Sequence, residues 1–165
     1  MEMTRDVYLR GTAWKQATEK LTAIFKSRPH YMLYMLSMAI GIMYDRRIEK
    51  LPENGEETIS IPRNVFVNND NGKMGFMFQA AVLSTTTEVF DEDYRLSLAF
   101  GETEYDKLSF LTSFANFGIT KLVEQIGDSD LESMENIKNF LVCTVEGKNY
   151  DLYDLPDELL MDVDL

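Results

Sequence analysis

Few residues in this chain are of a type that does chemistry. His30 is the single histidine and Cys143 the single cysteine. A transition-metal site needs several such ligands together, and neither residue has a second one near it in sequence. His30 follows Pro29 at the start of an apolar run, a place that suits a capping or surface histidine. No Gly-x-Ser-x-Gly turn accompanies it to present a nucleophilic serine. Cys143 closes Phe140-Leu141-Val142-Cys143, and a cysteine among apolar neighbours acts as a small hydrophobe unless a cation lowers its pKa. Acids are plentiful but unpatterned. Asp91-Glu92-Asp93 and Glu102-Thr103-Glu104 each precede a helical pattern, where negative charge meets the positive end of the helix dipole. Asp151–Glu158 lacks the central glycine and closing glutamate of a calcium loop. Gly72 and Gly75 lead into no Lys-Ser or Lys-Thr pair that would cradle phosphate. The expectation is a chain that is not an enzyme and takes no metal and no cofactor.

Two features point to binding instead, and a third residue is unusual for its place. Arg46 and Arg47 end the most apolar run of the chain, with Lys50 and Arg63 close by. Cations belong at a helix C-terminus, and arginine also grips carboxylate or phosphate with two parallel hydrogen bonds. Arg46, Arg47 and Arg63 are therefore candidate partner-binding residues. Residues 149–165 form the second feature. Asp151, Asp154, Asp157, Glu158, Asp162 and Asp164 alternate there with Tyr150, Leu152, Tyr153, Leu155, Leu159, Leu160, Met161, Val163 and Leu165. Solvated tails rarely carry so many apolar residues. The segment either folds back on the core or docks on a basic, grooved partner, with Asp154, Asp157 and Glu158 as its candidate contacts. Asn116 is the third. It falls inside Phe110–Gly118, a phenylalanine-rich stretch, and a buried amide must find hydrogen bonds. Structural bracing is the expectation there, and Gly118 beside it can allow a close helix crossing.

Hydrophobic periodicity supplies the elements that position these residues. Trp14, Ala17, Leu21, Ile24 and Phe25 make one stripe of a helix expected from Thr12 to just before Pro29. The next helix, about 30–45, is apolar all round, so others must surround it and it should be the centre of the fold. Leu51-Pro52-Glu53-Asn54-Gly55 is turn chemistry. Thr58–Ile61 alternates as a short strand stopped by Pro62, with Arg47-Ile48-Glu49 as a candidate partner across the turn. Asn68–Gly72 reads as another turn, Met74–Leu83 as a buried helix, and Asp91–Phe100 as a short amphipathic one. Thr103 and Asp106 resemble a capping box opening a helix to Ile126, with Gly127 as its C-cap. Ser129 and Glu132 form a second box before a last helix whose inner face is Leu131, Met134, Ile137, Phe140 and Leu141. The fold expected is mainly α: a compact helical domain over 1–148 around one fully buried central helix, with a short β-hairpin or extended segment near 46–63. An acidic, partly apolar tail over 149–165 follows it.

Composition narrows the classes of function. At 165 residues with 45% hydrophobic and 12% aromatic content, the chain is too rich in apolar groups to be disordered and long enough for a real core. The formal net charge is -12, half of it in the last fifteen residues. An acidic surface repels phosphate, so direct nucleic-acid binding is disfavoured and a basic protein surface is the more natural partner. The apolar run Tyr31–Tyr44 is shorter than the ~20 residues of a membrane span. No signal-peptide core opens the chain, and one cysteine forms no internal disulfide; a cytoplasmic setting is expected.

Four segments together resemble a known group. Tyr31–Arg47, with its Ala39-x-Gly41 and closing arginines, resembles the opening apolar helix of small proteins encoded beside bacterial DNA-phosphorothioation and related phage-defence genes. Ile59-Ser60-Ile61-Pro62-Arg63-Asn64-Val65-Phe66 and Phe76–Leu83 are similar to the segments that follow it there. Phe114-Ala115-Asn116-Phe117-Gly118 is similar to that group's Tyr-Ala-Asn-x-Gly, with Ser113-Phe114 standing where Glu-Tyr is the pattern. The likeness spans about 25–126 and leaves out the first helix and the tail. It implies an accessory, regulatory component of a multi-protein anti-phage defence or DNA-modification complex, working through protein contacts and without catalytic residues to carry over. The alternative of another class is an acidic inhibitor that mimics DNA and blocks a nucleic-acid enzyme.

Overall fold

In the computed structural model, two helices cross at the centre and the rest of the chain is arranged around them. The structure describes residues 4–25, 27–55, 58–88 and 90–145. The 149–165 tail, with Asp154, Asp157 and Glu158, lies outside the described residues. Nine elements follow in chain order: β1 Val7–Leu9, α1 Thr12–Leu21, α2 Pro29–Met43, β2 Ile59–Ile61, α3 Arg63–Asn69, α4 Lys73–Ser84, α5 Glu92–Phe100, α6 Lys107–Val123 and α7 Asp130–Val145.

Helix α2 is the expected central element. Pro29 occupies its first turn, where the missing N–H is harmless. Leu33, Tyr34, Met38 and Ile40 are fully buried, while the stripe Met32, Ala39 and Met43 remains exposed. Its main neighbour is α6, which buries Phe110, Leu111, Phe114, Ala115, Ile119 and Leu122. The crossing is made by small residues. A Cβ on Gly41 would lie 2.1 Å from the Phe114 carbonyl oxygen, and one on Gly118 only 1.8 Å from that of Ser37. Each glycine therefore rests directly on the other helix's backbone. The Ser37 hydroxyl, buried at this contact, donates to its own helix at the Leu33 carbonyl (2.7 Å).

The extended segment forms at 59–61, and its partner is β1 rather than Arg47–Glu49. The pairing is antiparallel, with Val7 opposite Ile61 and Leu9 opposite Ile59. Val7, Leu9 and Ile61 point into the core, and Tyr8 points out. Residues 47–49 are held elsewhere: the Ile48 N–H donates to the Ser113 carbonyl of α6 (2.9 Å). A segment strapped to a helix has no free edge to offer a strand.

Other boundaries differ from expectation for local reasons. Helix α1 stops at Leu21, short of Pro29. Thr18 and Thr22 turn their hydroxyls back onto the carbonyls of Trp14 and Thr18, and the following N–H groups close three-residue turns. Ile24 and Phe25 lie beyond the helix, packed against the core from a turn. Helix α3 is an addition, since Pro62 starts a helix as well as ending a strand; it buries Phe66, against which Tyr31 and Tyr34 pack edge-on. Asp106, not Thr103, caps α6: its carboxylate accepts the Ser109 N–H (3.1 Å). The carboxylate is a charged acceptor and sits adjacent to the first helical residue, which decides between the two. At α7 the expected cap forms, with the Glu132 N–H donating to Ser129 Oγ (3.2 Å), while the Glu132 carboxylate takes the N–H of Asp128 rather than that of Ser129. The inner face of α7 is narrower than its sequence suggests. Ile137 is buried and Phe140 and Leu141 partly so, but Leu131 and Met134 are exposed, because the N-terminal turns of α7 lie at the rim of the core.

Candidate functional site

The three arginines differ in their surroundings. Arg46 is exposed at the end of α2. Arg63 opens α3, exposed, with its backbone N–H donating to Asp6 Oδ1 (2.8 Å). The strand before it pairs with β1, not with the segment that follows α2. Arg47 is spoken for internally. Its guanidinium pairs with Glu88 and lies over the rings of Phe110 (5.0 Å) and Phe114 (5.6 Å). Only 21% of its side chain is exposed. It clamps the segment after α4 onto α6, a use of arginine that sequence alone does not separate from binding. A cavity of about 470 Å³ adjoins it, lined also by Glu49, Glu88, Tyr105, Asp106 and Ser109. Burial first, and then the Glu88 charge, raise the Tyr105 pKa, so this hydroxyl stays a proton donor.

Asp45 organises the same end of the molecule. It sits at φ 48°, a left-handed conformation that Asp and Asn tolerate better than most residues. Its carboxylate accepts Thr85 Oγ1 (2.6 Å) and both the N–H and Oγ1 of Thr86 (2.7 Å each), tying the end of α2 to the end of α4. Burial alone would raise its pKa; the hydrogen bonds from Thr85 and Thr86 outweigh that and hold the carboxyl below its ordinary value. A depressed folded pKa gives stability that is present above the unfolded value of about 3.9 and lost as pH falls through the folded one. Asp45→Asn keeps the left-handed preference and removes the charge. It is expected to cost about 1–2 kcal/mol at pH 7, the low end because the group is half-buried, and to flatten the loss of stability below about pH 4. Urea titrations from pH 3 to 7 that give parallel curves for the two proteins would show that Asp45 carries no such term.

Asn116 braces three parts of the chain, as expected. Its Oδ1 accepts from the indole N–H of Trp14 (2.9 Å), and its Nδ2 donates to the carbonyls of Ile48 (3.0 Å) and Glu49 (3.2 Å). Cys143 is free and half-buried, and His30 lies half-buried in the first turn of α2. Among the described residues no three His, Cys, Asp or Glu side chains converge as metal ligands, and no helix is long and apolar enough to cross a membrane.

The surface feature that sequence reasoning misses is apolar. On α4, Phe76 and Leu83 are two turns apart on the side away from the core and are 68% and 40% exposed. On the adjacent α5, Leu96 and Phe100 are one turn apart and 45% and 65% exposed. Glu92, Asp93 and Glu102 on and just after α5 are exposed, as is Lys73 at the start of α4. The signal is present in the sequence as an excess of apolar residues over what one face of each short helix can bury. Periodicity assigns the excess to the core. Comparison of the chain with protein-family models, with curated proteins and with solved structures finds no match in any of the three.

Proposed function

We propose that this chain is a non-enzymatic interaction subunit that holds another protein through the outward face of α4 and α5. The observation that carries the reading is that face: two adjacent helices each turn an apolar stripe to solvent, led by Phe76 and Phe100. Scattered exposed apolar residues are ordinary, but paired aromatic anchors with a charged rim are what a docking surface needs. Charged residues of both signs flank the anchors, Glu92 and Asp93 on α5 and Lys73 one turn before Phe76 on α4, so the occupant is a protein with an apolar patch and a mixed polar rim. The resemblance over 25–126 supports a setting in a bacterial anti-phage or DNA-modification complex, in an accessory, regulatory role. The DNA-mimic alternative is less well supported, because Asp45 and Glu88 are engaged in bonds within the fold.

The test is a purified pair. A protein recovered with the tagged chain from its host is expressed alone and titrated against wild type and Phe76→Asp/Phe100→Asp. Both side chains are mostly exposed, so the variant keeps its thermal midpoint while affinity falls by about 100-fold. Arg46→Ala/Arg63→Ala is the companion variant. Full loss in the arginine variant with none in the phenylalanine variant would move the contact to the basic positions. Equal affinity of all three proteins would refute both surfaces.

A further inference from the structure

A second cleft has the opposite electrical character to the rest of the chain. It lies at the N-terminus of α2, has a volume of about 440 Å³, and is walled by Phe25, Tyr31 and Met32. Its polar edge is Arg28, Lys73 and the amides of Asn68 and Asn71. This size is within the range of small-molecule sites. Helix α2 begins here with no side-chain cap and no acid in its first turn, so the positive end of its dipole is unopposed.

Tyr31 is the independent sign of a ligand. The residue is 4% exposed, its ring packs edge-on to Phe66, and its hydroxyl is buried with no hydrogen-bond partner. A buried hydroxyl left unpaired is disfavoured, and folds rarely tolerate one without reason. Burial, and then the charge of Asp70, raise its pKa, so it is a donor at neutral pH. Arg28 forms no ion pair among the described residues. The Lys73 ammonium makes one long contact to the Asn69 carbonyl (3.3 Å). Asp70 is the carboxylate that faces Tyr31, and its Oδ1 already accepts the Met74 N–H (2.7 Å). Two cations, a hydroxyl donor and an uncapped helix therefore face one engaged carboxylate. The backbone is set for this: Arg28 (φ 52°) and Asn71 (φ 44°) both hold left-handed conformations at the cleft.

We propose that this cleft binds the phosphate of a small phosphorylated molecule, with the Tyr31 hydroxyl, Arg28 and Lys73 as donors at the positive end of the α2 dipole. Phosphate is the anion that uses this many donors at once. Phe25 and Met32 offer apolar surface to the rest of the ligand. The site shares no residue with the α4–α5 anchors and stands or falls independently of the docking reading.

Calorimetric titration of the full chain with inorganic phosphate and with a nucleoside monophosphate, at constant ionic strength against chloride, tests it. Both bind saturably, the nucleotide more tightly. Tyr31→Phe retains the ring and loses only the hydroxyl, and weakens both by about tenfold. Arg28→Gln/Lys73→Gln removes binding altogether, with an unchanged circular dichroism spectrum. Failure of both probes to bind at millimolar concentration would overturn the proposal. So would binding that Tyr31→Phe leaves intact. A phosphoserine peptide that binds more tightly than the nucleotide would overturn the assignment to a small molecule.

Discussion

Gly118→Ala is expected to lower the stability of the fold by about 3 kcal/mol, and Gly41→Ala by a similar amount. For a domain of this size that is a fall of roughly 6–12 °C in the thermal midpoint. The sign is the informative part. Both glycines lie inside helices, where exchange for alanine favours the helix by about 1 kcal/mol. That gain is available only if the new methyl group has room. Here it would fall 1.8 Å from the Ser37 carbonyl oxygen or 2.1 Å from that of Phe114. These are backbone atoms in the two most closely packed helices of the molecule, so no side chain can swing aside. The helices must separate, and contacts along the whole α2–α6 seam weaken together. One displacement relieves both clashes, so the double variant should lose clearly less than the sum of the two single ones. Urea denaturation of the four proteins measures this. A more stable Gly118→Ala would mean that the helices do not meet at their backbones.

The mark of this seam in the sequence is a pair of small residues in otherwise bulky apolar runs. Gly118 follows a buried amide, and Gly41 sits in a helix without a polar face. Periodicity locates the other helices on the same physical ground: a stripe of apolar residues at 3.6-residue spacing has to face something. The same rule fails where more than one partner is available. Leu131 and Met134 continue the stripe of α7 yet face solvent, and Phe76, Leu96 and Phe100 are exposed outright. A pattern states that a face is apolar, not whether the chain itself covers it. Strand pairing is illegible for a related reason. Ile59-Ser60-Ile61 specifies a strand but not its partner, and Val7-Tyr8-Leu9 is too short to stand out. Arg47 reads as available because its covers, Glu88, Phe110 and Phe114, are distant in sequence. The Tyr31 hydroxyl has no sequence signal at all, since its surroundings come from α2, the turn after α3 and the start of α4.

Asn116→Leu keeps the branching and the number of side-chain heavy atoms, and is expected to destabilise the protein by about 3 kcal/mol. The amide makes three hydrogen bonds, and each ends on a different part of the chain from its own helix: the indole of Trp14 in α1, and the carbonyls of Ile48 and Glu49 in the segment leaving α2. Leucine would fill the space and satisfy none of them. Trp14 is fully buried, so its N–H would lose its partner without access to water. The two carbonyls are only part-buried and recover some hydration, which keeps the total near 3 kcal/mol instead of higher. Trp14 is also the only tryptophan, so its fluorescence reports on this bond directly. Trp14→Phe removes the donor, and a double-mutant cycle with Asn116→Leu isolates the indole–amide term at about 1–2 kcal/mol. Asn116→Asp provides the pH test. It keeps an acceptor for the indole but turns a second oxygen toward two carbonyls, which disfavours the charged form and raises the folded pKa. Its penalty relative to wild type should therefore grow as pH rises above the unfolded value of about 3.9 and shrink on acidification. The bracing role would be abandoned if Asn116→Leu unfolded within about 0.5 kcal/mol of wild type, a size typical of unremarkable surface sites.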